Sequence, residues 1–132
     1  MIDRTQILYE ALTTASPLAT QIQNRAFSPV APETWDGTQK AIIYHQDSSG
    51  SHITGSTNTS TFVFKCYGGD NTYTSSRTLF RLLYDRLQMI TGTFAGGSII
   101  SAALQTDTQL PPEAEGSRLK AHLARFSILF EG

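Results

Sequence analysis

The chain switches between two hydrophobic periods, and the switches mark its elements. Asp3 followed by Gln6, with Ile2 before and Ile7 after, has the form of a capping box with a hydrophobic staple, and Leu8, Ala11, Leu12 and Ala15 continue at helical spacing. Ser16-Pro17 repeats the start signal, a cap and then proline at the first helical position, and predicts a short second helix carrying Leu18 and Ile22. Pro29, Pro32 and the break at Asn24 then favour extended or turn backbone, with room for one edge strand at 26–30.

Beyond that point the period becomes two. Ile42, Ile43 and Tyr44 lie between turn-forming residues at Asp36, Gly37 and Asp47, so 40–46 reads as a strand. Its partner is 61–67, where Phe62, Phe64 and Cys66 share one face and Val63, Lys65 and Tyr67 the other; bulk on both faces predicts a central strand. Gly68 to Asn71 break the pattern, and Leu79, Leu82, Leu83, Leu87 and Ile90 form the apolar stripe of a helix capped by Ser75 or Ser76 and stopped by Gly92. Arg77, Arg81 and Asp85 occupy another stripe, which reads as a solvated face. Two strands close the chain, 99–105 and 119–130, the latter with Phe126, Ile128 and Phe130 on one side. The stretch 48–61, with nine hydroxyl residues and no Asp, Glu, Lys or Arg, and the stretch 107–117, with Pro111 and Pro112, read as loops or extended arms. The expected fold is α+β: an antiparallel sheet of about four to five strands packed by two main helices, with a long loop or arm between strands. One domain spans 1–132, without an internal repeat.

Composition narrows the class. At 132 residues and 39% hydrophobic the chain can bury one core, which disfavours global disorder. A net charge of -1 gives no bulk attraction to nucleic acid or anionic lipid, and with 16% charged residues the surface is largely neutral and cheap to desolvate against a partner. Cys66 is the single cysteine, so an intrachain disulfide is excluded and a reducing compartment is expected. The first residues lack the apolar stretch of a signal peptide and no apolar run reaches about 18 residues, which disfavours export and membrane insertion.

Catalytic vocabulary is thin. A nucleophile, base and orienting acid would have to come from Cys66, His45 or His52, and Asp47. Cys66, between Phe62 and Phe64 in an alternating strand, instead reads as a small buried hydrophobe. The two histidines, seven apart, match neither a helical metal pair nor a zinc-finger spacing. The glycine pairs at 68–69 and 96–97 lack phosphate-loop spacing and read as turns, and Glu113 and Glu115 sit beside two prolines in solvated loop. The residues name no reaction, cofactor or metal.

The order of segments is more specific than any one of them. The opening helices LYEALTTASPLATQI, the turn RAFSPVAP, the strands KAIIYHQ and TFVFKCYGG, the helix SSRTLFRLLYDRLQ and the closing alternating strand together resemble the tail terminator (tail completion) proteins of long-tailed bacteriophages. The resemblance covers nearly the whole chain; it departs where that family often has proline before the first long strand and this chain has Lys40. It implies a non-enzymatic virion protein that assembles as a ring, commonly a hexamer, caps the tail tube, ends its polymerisation and meets the head-side connector or stopper protein. DNA would pass through the ring without specific recognition, and the protein would sit at the head-proximal end of the tail after assembly in the host cytoplasm. Assembly contacts are then expected in the two long stretches, at His52, Ile53, Thr54 and Thr57 and at Leu110, Glu113 and Glu115. The alternatives are another neck component, a head-completion or stopper protein, and in a different class a small cytoplasmic enzyme or ligand-binding domain.

Overall fold

The computed structural model of the protein describes residues 3–35, 37–54, 57–69, 72–88, 90–94, 96–110 and 120–131, with 48–54, 57 and 110 described by backbone alone. The elements in chain order are α1 (Arg4–Thr13), α2 (Pro17–Ile22), β1 (Ala26–Phe27), β2 (Ala41–Thr54), β3 (Thr57–Tyr67), α3 (Tyr73–Gln88), β4 (Gly92–Phe94), β5 (Gly97–Leu110) and β6 (Ala121–Glu131).

Both opening helices begin where the capping signals place them. The Asp3 carboxylate accepts from the Gln6 amide at 3.2 Å, and Ser16 Oγ accepts from the Ala19 amide at 3.1 Å with Pro17 in the first turn. The periodic residues Ile7, Leu8, Ala11, Leu12, Leu18 and Ile22 are all buried. α3 buries Leu79, Leu83 and Leu87, as its stripe predicts, while Leu82 is only half-buried. Its cap is neither Ser75 nor Ser76: Thr72 Oγ1 accepts from the Ser75 amide at 3.2 Å, which puts both serines inside the first turn. Gly68 lets β3 run close beneath that turn, since a Cβ there would stand 2.5 Å from the Ser75 Cβ.

Six strands form one sheet in the order β1-β2-β3-β6-β5-β4. β3 and β6 are central, paired antiparallel from Thr57↔Glu131 to Tyr67↔Ala121. One face, carrying Ile42, Tyr44, Phe62, Phe64, Cys66, Ala124, Phe126, Ile128 and Phe130, forms the core with the apolar sides of all three helices. Edge-on aromatic pairs, Phe64 with Phe126 and Phe62 with Phe130, tie β3 to β6 there.

Five expectations need correction. The sheet has six strands rather than four to five and is mixed, because β1 pairs parallel with β2, through Ala26↔Ile42 and Phe27↔Ile43. β1 is two residues long, not five, and Gly92 begins β4 instead of ending the preceding helix. The hydroxyl-rich stretch 48–61 is not a loop: its described residues belong to the outer parts of β2 and β3, which pair as far as Thr54↔Thr57. Ser60 and Asn58 turn toward the core without loss because Arg4 donates to both, at 3.2 and 2.9 Å, and Ser60 Oγ donates to Asn58 Oδ1 at 2.6 Å. Finally, 107–110 are not arm but continue β5 opposite Ala124 to Ala121 of β6, and 111–117 lie outside the described residues.

Candidate functional site

The residues with catalytic vocabulary are dispersed. Cys66 is fully buried on the helix-covered face, and burial pushes its thiol pKa up, away from the reactive thiolate. His45 pairs with Val63 in the register and therefore lies on the opposite face of the sheet from Cys66. Asp47 is ion-paired with Arg125 of β6, and the His52 side chain lies outside the described residues. No group of three or more His, Cys, Asp or Glu able to hold a metal occurs among the described residues.

Two buried polar positions that sequence reasoning did not single out for function fasten elements together. Ser76 Oγ accepts from the Gly68 amide at 3.2 Å and donates to the Lys120 carbonyl at 2.6 Å, stitching α3 to the end of β3 and the start of β6. His122, buried on β6, holds Asp107 of β5 through Nε2 at 2.8 Å while its ring lies 4.5 Å from that of Phe80. Its Nδ1 has no hydrogen-bond partner among the described residues. The alternation of β6 already placed His122 on the face of Ala124 and Phe126; nothing local pointed to Asp107 as its partner.

Two of the concavities among the described residues are open grooves. One of about 440 Å³ lies between α1 and the turn after β1, lined by Tyr9, Phe27, Val30, Pro32 and Tyr44, with Val30 73% exposed. Another, of about 340 Å³, runs between α3 and β5 past Phe80, Arg81, Tyr84 and Leu104. Neither gathers the convergent polar groups of a substrate pocket. The helix-free face of the sheet is mixed in character, with Ile43, Lys65, Leu123 and Leu129 half-buried and Trp35 edge-on over Tyr67 at 5.3 Å.

The sheet margins have a more distinctive geometry. β1 covers β2 only at Ile42 and Ile43, and β4 covers β5 only from Gly97 to Ile99. Past those points β2 pairs on one side with β3, and β5 on one side with β6, with no other strand beside them among the described residues. Of the residues expected to make assembly contacts, His52, Ile53, Thr54 and Thr57 lie at one end of the sheet, at the tip of the β2–β3 hairpin. Leu110 lies at the other end, opposite Ala121, which in turn faces Tyr67. Ten ladder steps separate Thr57 from Tyr67, about 33 Å at strand rise, so one copy of the chain does not bring the two groups together. Glu113 and Glu115 lie outside the described residues.

No protein-family model and no curated protein sequence matches the chain. In fold it is similar to a chain from a solved structure described as the virion of a native gene transfer agent particle, with a TM-score of 0.71, 16% identity, and coverage of 98% of this chain and 95% of that one. The likeness therefore spans the complete sheet with its helices, and at this identity it is a likeness of fold.

Proposed function

We propose that the protein is a structural subunit of a phage-like virion, and within it a tail terminator: a ring, of six copies, that caps the tail tube, stops its growth and offers its other side to the head-side connector or stopper protein. The observation that carries this reading is the fold, shared along almost the entire chain with a chain of a gene transfer agent virion. The order of helices and strands resembles tail terminators in particular, and the dispersal of Cys66, His45 and Asp47 leaves no assembled catalytic group among the described residues to favour an enzyme. A neutral surface with uncovered strand margins suits burial against other protein. In this role the protein resides at the head-proximal end of the tail and passes through the host cytoplasm during assembly, with DNA threading the ring. The test is tube growth in vitro. Tail-tube protein polymerising with this chain present should give tubes that stop lengthening and carry the chain at one end. Unchanged growth with no bound chain would overturn the terminator role, and binding to the connector but not the tube would favour a sister neck component.

A further inference from the structure

The two uncovered margins belong to β2 and β5, the second strand from each side of the sheet, and they differ from ordinary edges. Globular proteins usually protect a long edge strand with lysine, proline or brevity, because its unpaired amides and carbonyls template pairing with another chain. Residues 44–54 and 100–110 contain no lysine, arginine or proline. Each has one aspartate, and both aspartates are occupied: Asp47 by Arg125, Asp107 by His122. Among the described residues no other strand pairs with these edges for about ten residues each, and their one protective feature of the usual kind is an irregularity, in β2 between Gln46 and Ser51 and in β5 between Leu104 and Thr106.

Their shapes are complementary. β6 runs parallel to β2, since both pair antiparallel with β3, and β5 is antiparallel to β6; β5 therefore runs antiparallel to β2. β1 covers the start of β2 and β4 covers the start of β5, so the covered segments sit at diagonal corners and leave diagonal notches. A second copy set beside the first without a shift would drive its β5 end into β1. An odd slip would put core-facing positions beside solvent-facing ones. The smallest even slip that clears β1 is four residues, about 13 Å. It sets Leu110 of one copy opposite His45 of the next, Gln109 opposite Gln46, Asp107 opposite Ser51, Thr106 opposite His52, Leu104 opposite Ile53 and Ala103 opposite Thr54. The irregularity of β2 between Gln46 and Ser51 then falls opposite Thr108.

We infer that copies of this chain join by continuing the sheet from one to the next, the 103–110 edge of β5 in one copy pairing antiparallel with the 45–54 edge of β2 in its neighbour. The contact is heterologous, so repeating it gives a closed ring or an open helix, and a constant slip along the strands is what tilts them when such a sheet closes on itself. It also puts residues 52–54 and Leu110 into one contact without placing them side by side: Leu110 faces His45, and 52–54 face 103–106. The inference supplies the contact for the ring proposed above and rests on that reading only for closure.

The test uses the full chain carrying Gln46→Cys and Gln109→Cys, oxidised at increasing protein concentration. Cys66, fully buried, remains silent. The expected result is a ladder of covalent multimers at multiples of 14.5 kDa, whereas either single variant stops at a dimer and a Lys65→Cys/Arg81→Cys control on the two sheet sides gives no ladder. A double variant that stays monomeric, or cross-links no better than the control, overturns the inference. Amide exchange on the unmodified chain guards against a variant that misfolds: exchange in 103–110 and 45–54 should slow about tenfold as concentration rises, and exchange that does not change with concentration also overturns it. Tubes capped by a chain that gives no ladder would leave the terminator role standing without this contact; a ladder with uncapped tubes would do the reverse.

Discussion

Truncating Leu83 to alanine probes the joint between α3 and the sheet most directly. Leu83 is fully buried, between Leu79 and Leu87 on the same stripe, and α3 packs over β3, β5 and β6. The substitution removes about three methylene equivalents, about 2.4 kcal/mol at about 0.8 each. The backbone of a helix held against three strands relaxes little, so a residual cavity adds up to about 2 kcal/mol, while the higher helix propensity of alanine returns a few tenths. The expected loss is about 3–4 kcal/mol. Urea unfolding followed by circular dichroism should show the midpoint falling at unchanged slope. Leu82→Ala, half-buried one position away, should lose only about 1 kcal/mol. A loss below about 1 kcal/mol for Leu83→Ala, or equal losses for the two variants, would refute the assignment of this stripe as the face that closes the core.

Cys66 should resist a thiol reagent in the native protein and react only at the rate of unfolding; labelling as fast as in denatured protein would contradict its burial. Burial raises the pKa of both Cys66 and Tyr44 in the folded state, so the unfolded chain releases these protons first and stability falls as pH rises above about 8.5 and again above about 10. Cys66→Ala should remove the first part of that alkaline decline relative to its own stability at pH 7, and an unchanged profile would show the thiol is not responsible. Ser76→Ala leaves the Gly68 amide and the Lys120 carbonyl without this partner and should cost about 1–3 kcal/mol by chemical denaturation; a change within about 0.5 kcal/mol would mean the stitch is dispensable.

Local signals were legible where the chemistry is local. Asp3 with Gln6 and Ser16 with Pro17 cap their helices through contacts three residues away, and the α3 stripe and β6 alternation needed only a period. Features decided by distant partners were not. The serines and threonines of 48–61 read as loop because nothing nearby shows that Ser60 will lie opposite Ile128 or that Arg4, far away in sequence, will satisfy Asn58. β1 and β4 are two and three residues long and owe their existence to the strands beside them. Thr72 caps α3, yet Ser75 and Ser76 carry the same hydroxyl a few residues on, and composition does not tell the three apart. The expected assembly residues at 52–54 and at Leu110 were marked by composition, whereas their relation as two open edges of one sheet emerges only from the strand order.

The most direct test of the account is where the protein sits in an assembled particle. Gold labelling of an epitope-tagged chain in purified virions, viewed by electron microscopy, should show one cluster per particle at the junction of tail and head. Label spread along the tail, at its distal end, over the head surface, or absent from particles would contradict the account.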